Sequence, residues 1–302
     1  MSKLMNMRNA SQWRYGTSVV SILVMCLAVF FIFSRGLNWG LDFTGGVVSE
    51  VQVDHRITSS ELTPLLEAGL GQKVSVVASE GPGRWVIRYS IPDNMETANV
   101  SIESLLAPLN GDTQVLNTSV VGPQVGQELA DQGGLALLVC LLCIMGYLSV
   151  RFEWRLALGS LLALLHDVVF VLGFFALSQM EFNLTVLAAV LAILGYSLND
   201  SIIIADRIRE LLRLKPDEKT ADINNQAIAA TFSRTMITSG TTLMTVSALW
   251  LLGGAPLEGF SVAMFIGIIV GTWSSIAVGT SLPEILGLKP EHYKVVAIAE
   301  TP

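Results

Sequence analysis

Gly195-Tyr196-Ser197-Leu198-Asn199-Asp200 runs on as Ser201-Ile202-Ile203-Ile204-Ala205-Asp206-Arg207. The stretch follows an apolar run, Thr185 to Leu194, and places an amide and a carboxylate inside what still reads as a membrane helix. A carboxylate at membrane depth costs about 2.5–3.5 kcal/mol on insertion scales. Such a residue marks a functional site by default, so the rest of the chain is read for its partner.

The composition supports a membrane setting. Of 302 residues, 52% are hydrophobic and only 14% charged, and the mean hydropathy is +0.58. That excludes a soluble domain of ordinary make-up. Three cysteines, Cys26, Cys140 and Cys143, all lie in apolar runs. The Cys140/Cys143 spacing has no His or further Cys nearby, so neither a metal site nor a redox pair is expected.

Outward from the opening stretch, six apolar runs appear: Thr17–Ser34, Gly133–Val150, Leu156–Leu177, Phe182–Ala205, Thr235–Leu252 and Gly259–Ser281. Each is long enough to cross about 30 Å of hydrocarbon. A cleaved signal peptide competes for the first run, but Phe31-Ile32-Phe33-Ser34-Arg35 is no small-x-small cleavage site. Arg151, Arg155, Arg207, Arg209, Arg213, Lys215, Lys219, Lys289 and Lys294 fall on one side, and the opposite short loops, 179–181 and 253–258, hold no Lys or Arg. By the positive-inside rule both termini are cytoplasmic. A polar loop of about 28 residues between the fourth and fifth runs is expected to hold a separate amphipathic helix, Ala221–Phe232.

Residues 35–132 differ in composition: acidic residues outnumber basic ones and strand-like alternation appears. Strands are expected at Val47–Val53, Lys73–Ser79, Arg84–Ser90 and Gln114–Val121, and helices at Ser59–Leu70 and Asp93–Leu109. That order is the ferredoxin-like split βαβ arrangement. The chain thus divides into a cytoplasmic tail (1–16), a first span (17–34), an external α+β domain (35–132), five further spans (133–284) and a cytoplasmic tail (285–302).

Ionisable residues within the spans are few. The third span carries His166-Asp167, the fourth Asn199-Asp200 and then Asp206, and the fifth opens at Arg234. Thr238, Thr241 and Thr245 share a helical face with Arg234, while Tyr196 and Ser197 stand one turn from Asp200. These groups suit a hydrated cleft in which Arg234, a fixed charge, moves relative to Asp200 and changes its proton affinity. Structural readings stand beside this one. Arg234 snorkels at a helix end, Asp206 ends a helix, Asp200 makes one structural bond, His166-Asp167 ties helices together, and the threonines bond to their own helix.

A family resemblance rests on motifs in order along nearly the whole chain. Gly40-Leu41-Asp42-Phe43-Thr44-Gly45-Gly46 follows the first span, and Val121-Gly122-Pro123-Gln124-Val125-Gly126-Gln127-Glu128-Leu129 precedes the second. Arg151-Phe152-Glu153-Trp154-Arg155 and His166-Asp167 come next. Then follow Gly195 to Asp200, running to Glu210, and Ser233-Arg234-Thr235 with Thr238-Ser239-Gly240-Thr241-Thr242. With these the chain resembles the SecF half of the bacterial SecD–SecF protein-export family, in the RND (resistance–nodulation–division) superfamily. Ser201 and Ala205 depart from the commonest pattern, which often has Thr and Phe there, without removing an ionisable group.

The resemblance implies an RND-type six-span fold and an auxiliary of the Sec translocase driven by the proton-motive force in the inner membrane. It implies a SecD-like partner, association with the SecYEG channel and often YajC, and a translocating polypeptide held outside the membrane. It maps the family's transmembrane Asp and Arg onto Asp200 and Arg234. No cofactor beyond the coupling proton, no nucleic acid and no enzymatic reaction are expected.

Read without the family, Asp42 to Gly46 is a tight turn at a joint between span and external domain, matched by a second joint around Gly122, Pro123 and Gly126. Two other readings stand open: half of an RND-type exporter of small molecules or lipids, and a scaffold without transport chemistry.

Overall fold

The structure, a computed structural model, describes residues 7–79, 81–90, 102–108 and 113–293. In chain order the elements begin with α1 (Met7–Arg35), β1 (Asn38–Trp39), α2 (Leu41–Thr44), β2 (Gly46–Gln52), α3 (Ser59–Leu70), β3 (Ser75–Ala78) and β4 (Arg84–Tyr89). There follow α4 (Ile102–Leu106), β5 (Gln114–Val121), α5 (Pro123–Arg151), α6 (Trp154–Ser178), β6 (Glu181–Phe182), α7 (Leu184–Leu214), α8 (Thr220–Leu252) and α9 (Ala255–Ile285). A short 3-10 turn closes the described chain at Pro290–Tyr293.

Six of these helices, α1 and α5 to α9, are long and apolar enough to cross a membrane. They divide into two sets. In α6, α7 and α9, 44–56% of the apolar window is buried, against 11–17% in α1, α5 and α8. The first three therefore form the inner bundle, around fully buried Leu164, Phe175, Ile193 and Leu194. The others present apolar faces outward. At 31 residues, α7 is about 46 Å long, well beyond the hydrocarbon thickness. Asp200 stands near its middle, not toward one end.

The α+β domain carries a sheet of order β3-β4-β2-β5, antiparallel throughout. With its first helix crossing from β2 to β3, this is the expected split βαβ arrangement. α3 starts where Glu61 takes the Thr58 backbone N–H at 3.0 Å, a capping contact legible in the spacing. Its Leu62, Leu66 and Leu70 bury against Val51 and Ile87 of the sheet. Of the second expected helix, Asp93–Leu109, the described residues show Ile102–Leu106; 93–101 and 109 lie outside them.

The expectations are corrected in two places. The separate helix Ala221–Phe232 does not form; those residues are the first part of one continuous α8. The backbone keeps its helical bonds across the polar segment, because hydropathy tells where membrane ends, not where helix ends. α5 likewise begins at Pro123, so residues 123–132 are helical. The tight turn expected at Asp42 to Gly46 forms, as a single helical turn: Phe43 and Thr44 donate to the Gly40 carbonyl at 3.0 and 3.2 Å. Gly45, at φ +72°, ends it, a value costly for a residue with a Cβ.

At the Arg-rich end, α1, α8 and α9 are tied by a buried charge. Arg14 Nη2 meets Glu284 Oε2 at 2.5 Å, and Asn224 Nδ2 donates to the same oxygen at 3.0 Å. Arg14 is 3% exposed. Its cost is offset only because the carboxylate is there.

Candidate functional site

The site is built on α7, whose period of 3.6 places Ser197 and Asp200 on inward faces while Asn199 points outward, exposed. Two polar groupings form on either side of that helix.

The first contains Asp167 of α6, which has no exposed surface. Ser197 Oγ donates to its Oδ2 at 2.5 Å, and His166 Nδ1 lies 3.2 Å from its Oδ1. α9 closes over the pair at Gly271, where a Cβ would stand 3.1 Å from Ser197 Oγ and 3.3 Å from Asp167 Oδ2. A Cβ there would require its neighbours to give by a few tenths of an ångström. His166 is 5% exposed, and its Nε2 has no partner among the described residues.

The second grouping lies between α7, α8 and α9. Tyr196 donates its hydroxyl to Ser239 Oγ at 3.3 Å, and Ser239 Oγ pairs with Thr272 Oγ1 at 2.8 Å. Asp200, 1% exposed, interacts with the Ser239 hydroxyl outside good hydrogen-bond geometry and feels the charge of Arg234. Neither of its oxygens has a hydrogen-bond partner among the described residues. An unpaired buried carboxylate is among the most costly arrangements a protein interior can hold.

Arg234 is not bonded to Asp200. It is exposed and lines a cavity of about 570 Å³ at the Arg-rich end between α7 and α8, with Asp206, Arg207, Arg209, Glu210 and Arg213. The expected partner thus stands near the carboxylate without touching it. Thr238 and Thr241 donate to carbonyls of their own helix, Thr238 to Arg234 O at 3.1 Å and Thr241 to Ile237 O at 2.9 Å. The stripe is a face of α8, not a set of ligands for Asp200.

Asp206 does not end a helix, since α7 continues to Leu214. It binds Arg151 Nη2 at 2.8 and 2.9 Å and Arg209 at 3.4 Å, joining the end of α5 to α7. Glu153 accepts the Arg155 N–H at 3.0 Å and so caps α6. From sequence, Ser239 was named only as part of the family motif, and Thr272 and Gly271 were not singled out. Their signal is small hydroxyls and a glycine inside apolar runs, which also occur wherever helices simply touch.

The two glycine-rich joints meet each other and the start of α7. Gly122 precedes the first turn of α5. Gly126 lies against α2, where a Cβ would stand 2.8 Å from Phe43 O and 2.9 Å from Gly45 N. Gly46 opens β2 opposite Val121. Gly40 donates its N–H to Phe182 O at 2.9 Å, Asp42 Oδ2 accepts the Leu184 N–H at 3.0 Å, and the Phe43 ring stacks on Phe182 at 6.1 Å.

Comparisons with known proteins agree over almost the whole chain. Residues 101–288 match the family described as protein export membrane protein SecD/SecF, C-terminal, and residues 30–55 match the SecD/SecF GG motif. Protein translocase subunit SecF of Vibrio alginolyticus is 43% identical over 286 residues, 93% of this chain and 90% of that protein. The SecF subunit of Escherichia coli O157:H7 is 39% identical, over 93% of this chain and 88% of that protein. The crystal structure of SecDF, a translocon-associated membrane protein from Thermus thermophilus, superposes with a TM-score of 0.79 at 36% identity. The match covers 93% of this chain and 38% of that longer one. SecDF in a super-membrane-facing form gives 0.70 at the same identity.

Proposed function

The chain belongs to the SecD/SecF family of protein-export membrane proteins and is a multi-pass auxiliary of the Sec translocase that works with a SecD partner; we propose that protons carried at Asp200 supply the energy. The observation that carries this is the isolation of Asp200. It is buried near the middle of α7, with no bonding partner among the described residues and a guanidinium close enough to act on it electrostatically. A carboxylate already tied into ion pairs, as Asp206 is, gains little from a proton. One held by no ion pair and no well-formed hydrogen bond can accept and release a proton at small structural cost, and in a low dielectric its affinity depends steeply on how near Arg234 stands. Arg234 keeps its own proton and acts as the moving charge.

The same proposal sets the chain in the inner membrane. Both tails and the Arg-rich loops are cytoplasmic, and the α+β domain is periplasmic, near the emerging polypeptide. The segregation of Lys and Arg supports this orientation. Association with the SecYEG channel, and with YajC, belongs to this reading too. The reaction chemistry is transport: protons move and no covalent bond of a substrate is broken. This reading leaves Thr238, Thr241 and Asp167 outside the proton step, because their side-chain oxygens already have other partners.

The test is export from cells carrying Asp200→Asn in place of the native chain. Normal accumulation together with the SecD partner, and failure to complete export of a secreted precursor, is the expected result. Full export by an assembled variant contradicts the proposal.

A further inference from the structure

Contacts from β1, α2 and β4 converge on residues 181–184, where β6 leads into α7. β1 runs parallel to β6, pairing Asn38 with Glu181 and Trp39 with Phe182. Asp42 takes the first amide of α7, Leu184 N–H, at 3.0 Å. Asn183 Oδ1 already takes Val186 N–H at 3.1 Å, so the two side chains divide the orphan donors of that helix end. Arg88, on β4 of the α+β sheet, places Nη1 3.2 Å from both oxygens of Glu181. The pair is partly buried, with side chains 30% and 27% exposed, and so is screened less by salt than a fully exposed pair.

These contacts have a consequence for the proton site. α7 runs from Leu184 past Asp200 without a proline, and helices kink mostly at proline. Asp200 is therefore about 24 Å along a continuous rod from the Asp42 contact. A displacement of the sheet pulls on the rod's end through Arg88, and a displacement of α1 and α2 pulls on it through Asp42. We propose that Asp42, with the Arg88–Glu181 pair, is a positioning element that clamps the α+β domain onto the first turn of α7 and the strand β6 leading into it, and so couples that domain's motion to Asp200. The proposal rests on reading Asp200 as the proton carrier. Asp42 itself never meets the proton; it acts through the helix.

The experiment uses the full chain with its SecD partner in inverted membrane vesicles. Two quantities are read: the gradient-driven part of precursor translocation, and covalent labelling of Asp200 by a hydrophobic carbodiimide. Asp42→Ala should lower the first about tenfold or more while labelling stays within about twofold. Asp42→Asn keeps an oxygen for Leu184 N–H and should retain about a third or more. Arg88→Glu should lose about threefold, and adding Glu181→Arg should restore most of it. An Asp42→Ala complex within about twofold of wild type overturns the clamp. So does an equal loss in Asp42→Asn, since the shared hydrogen bond is then not what matters. Should Asp42→Ala fail to assemble, the charge swap decides, and no rescue overturns the proposal. If Asp200→Asn keeps its gradient response, the proton reading falls. The clamp is then judged on hydrogen exchange at residues 181–186, which Asp42→Ala must speed about tenfold to support it.

Discussion

Asp167 and Asp200 are carboxylates on neighbouring helices of one bundle, both inside the protein and both on apolar stretches of sequence. Their surroundings are opposite. Asp167 is wrapped by Ser197, His166 and the close approach of Gly271. Asp200, one helical turn from Ser197, has no bonding partner among the described residues. The difference separates two uses of a buried charge. A satisfied carboxylate fixes three helices against each other. An unsatisfied one persists at a stability cost, which selection tolerates where the charge state itself is used.

Several variants break or sharpen this contrast. The largest effect is expected at Asp200→Asn, which should reduce gradient-driven export about tenfold or more. Its stability should hold or rise, since an unpaired buried charge is removed; export in vesicles and a thermal melt in detergent check both. Glu284→Gln is next, because it strips the carboxylate from buried Arg14 and should cost about 3 kcal/mol in the same melt. Asp167→Asn should follow at about 1–3 kcal/mol, leaving the gradient response of the assembled fraction near wild type. A stable Asp167→Asn that has lost its gradient response would erase the contrast. Thr238→Val combined with Thr241→Val should change neither export nor melting beyond about 0.5 kcal/mol, since both hydroxyls serve only their own helix.

Much of this molecule was legible in its sequence, for physical reasons. Unbroken apolar runs bounded by Arg and Lys report spans directly, and Ser59 to Leu70 reads as a helix with Glu61 in its first turn. The isolation of a carboxylate is visible as a charge where hydropathy forbids one. The partner was less legible. Arg234 precedes the Thr stripe on the span next to α7, and sequence spacing places it on a face without telling what that face meets. The structure turns it toward a cavity rather than onto Asp200. Ala221 to Phe232 read as a separate amphipathic helix because polar residues end a hydropathy signal, yet they are the first part of continuous α8. The role of Gly40 to Gly46 was half visible: a joint was expected there, but its target, the amide of Leu184, is 142 residues away in sequence. Contacts of that separation leave no local pattern.

Proton movement itself tests the central claim most directly. The chain and its SecD partner, reconstituted in liposomes with an internal pH-sensitive dye, are energised by an imposed gradient. Proton entry is then compared between wild type and Asp200→Asn during translocation. The account predicts entry that accompanies translocation in the wild type and is absent in Asp200→Asn complexes of normal composition. Equal entry in both would show that the proton passes elsewhere and that the isolation of Asp200 serves another purpose.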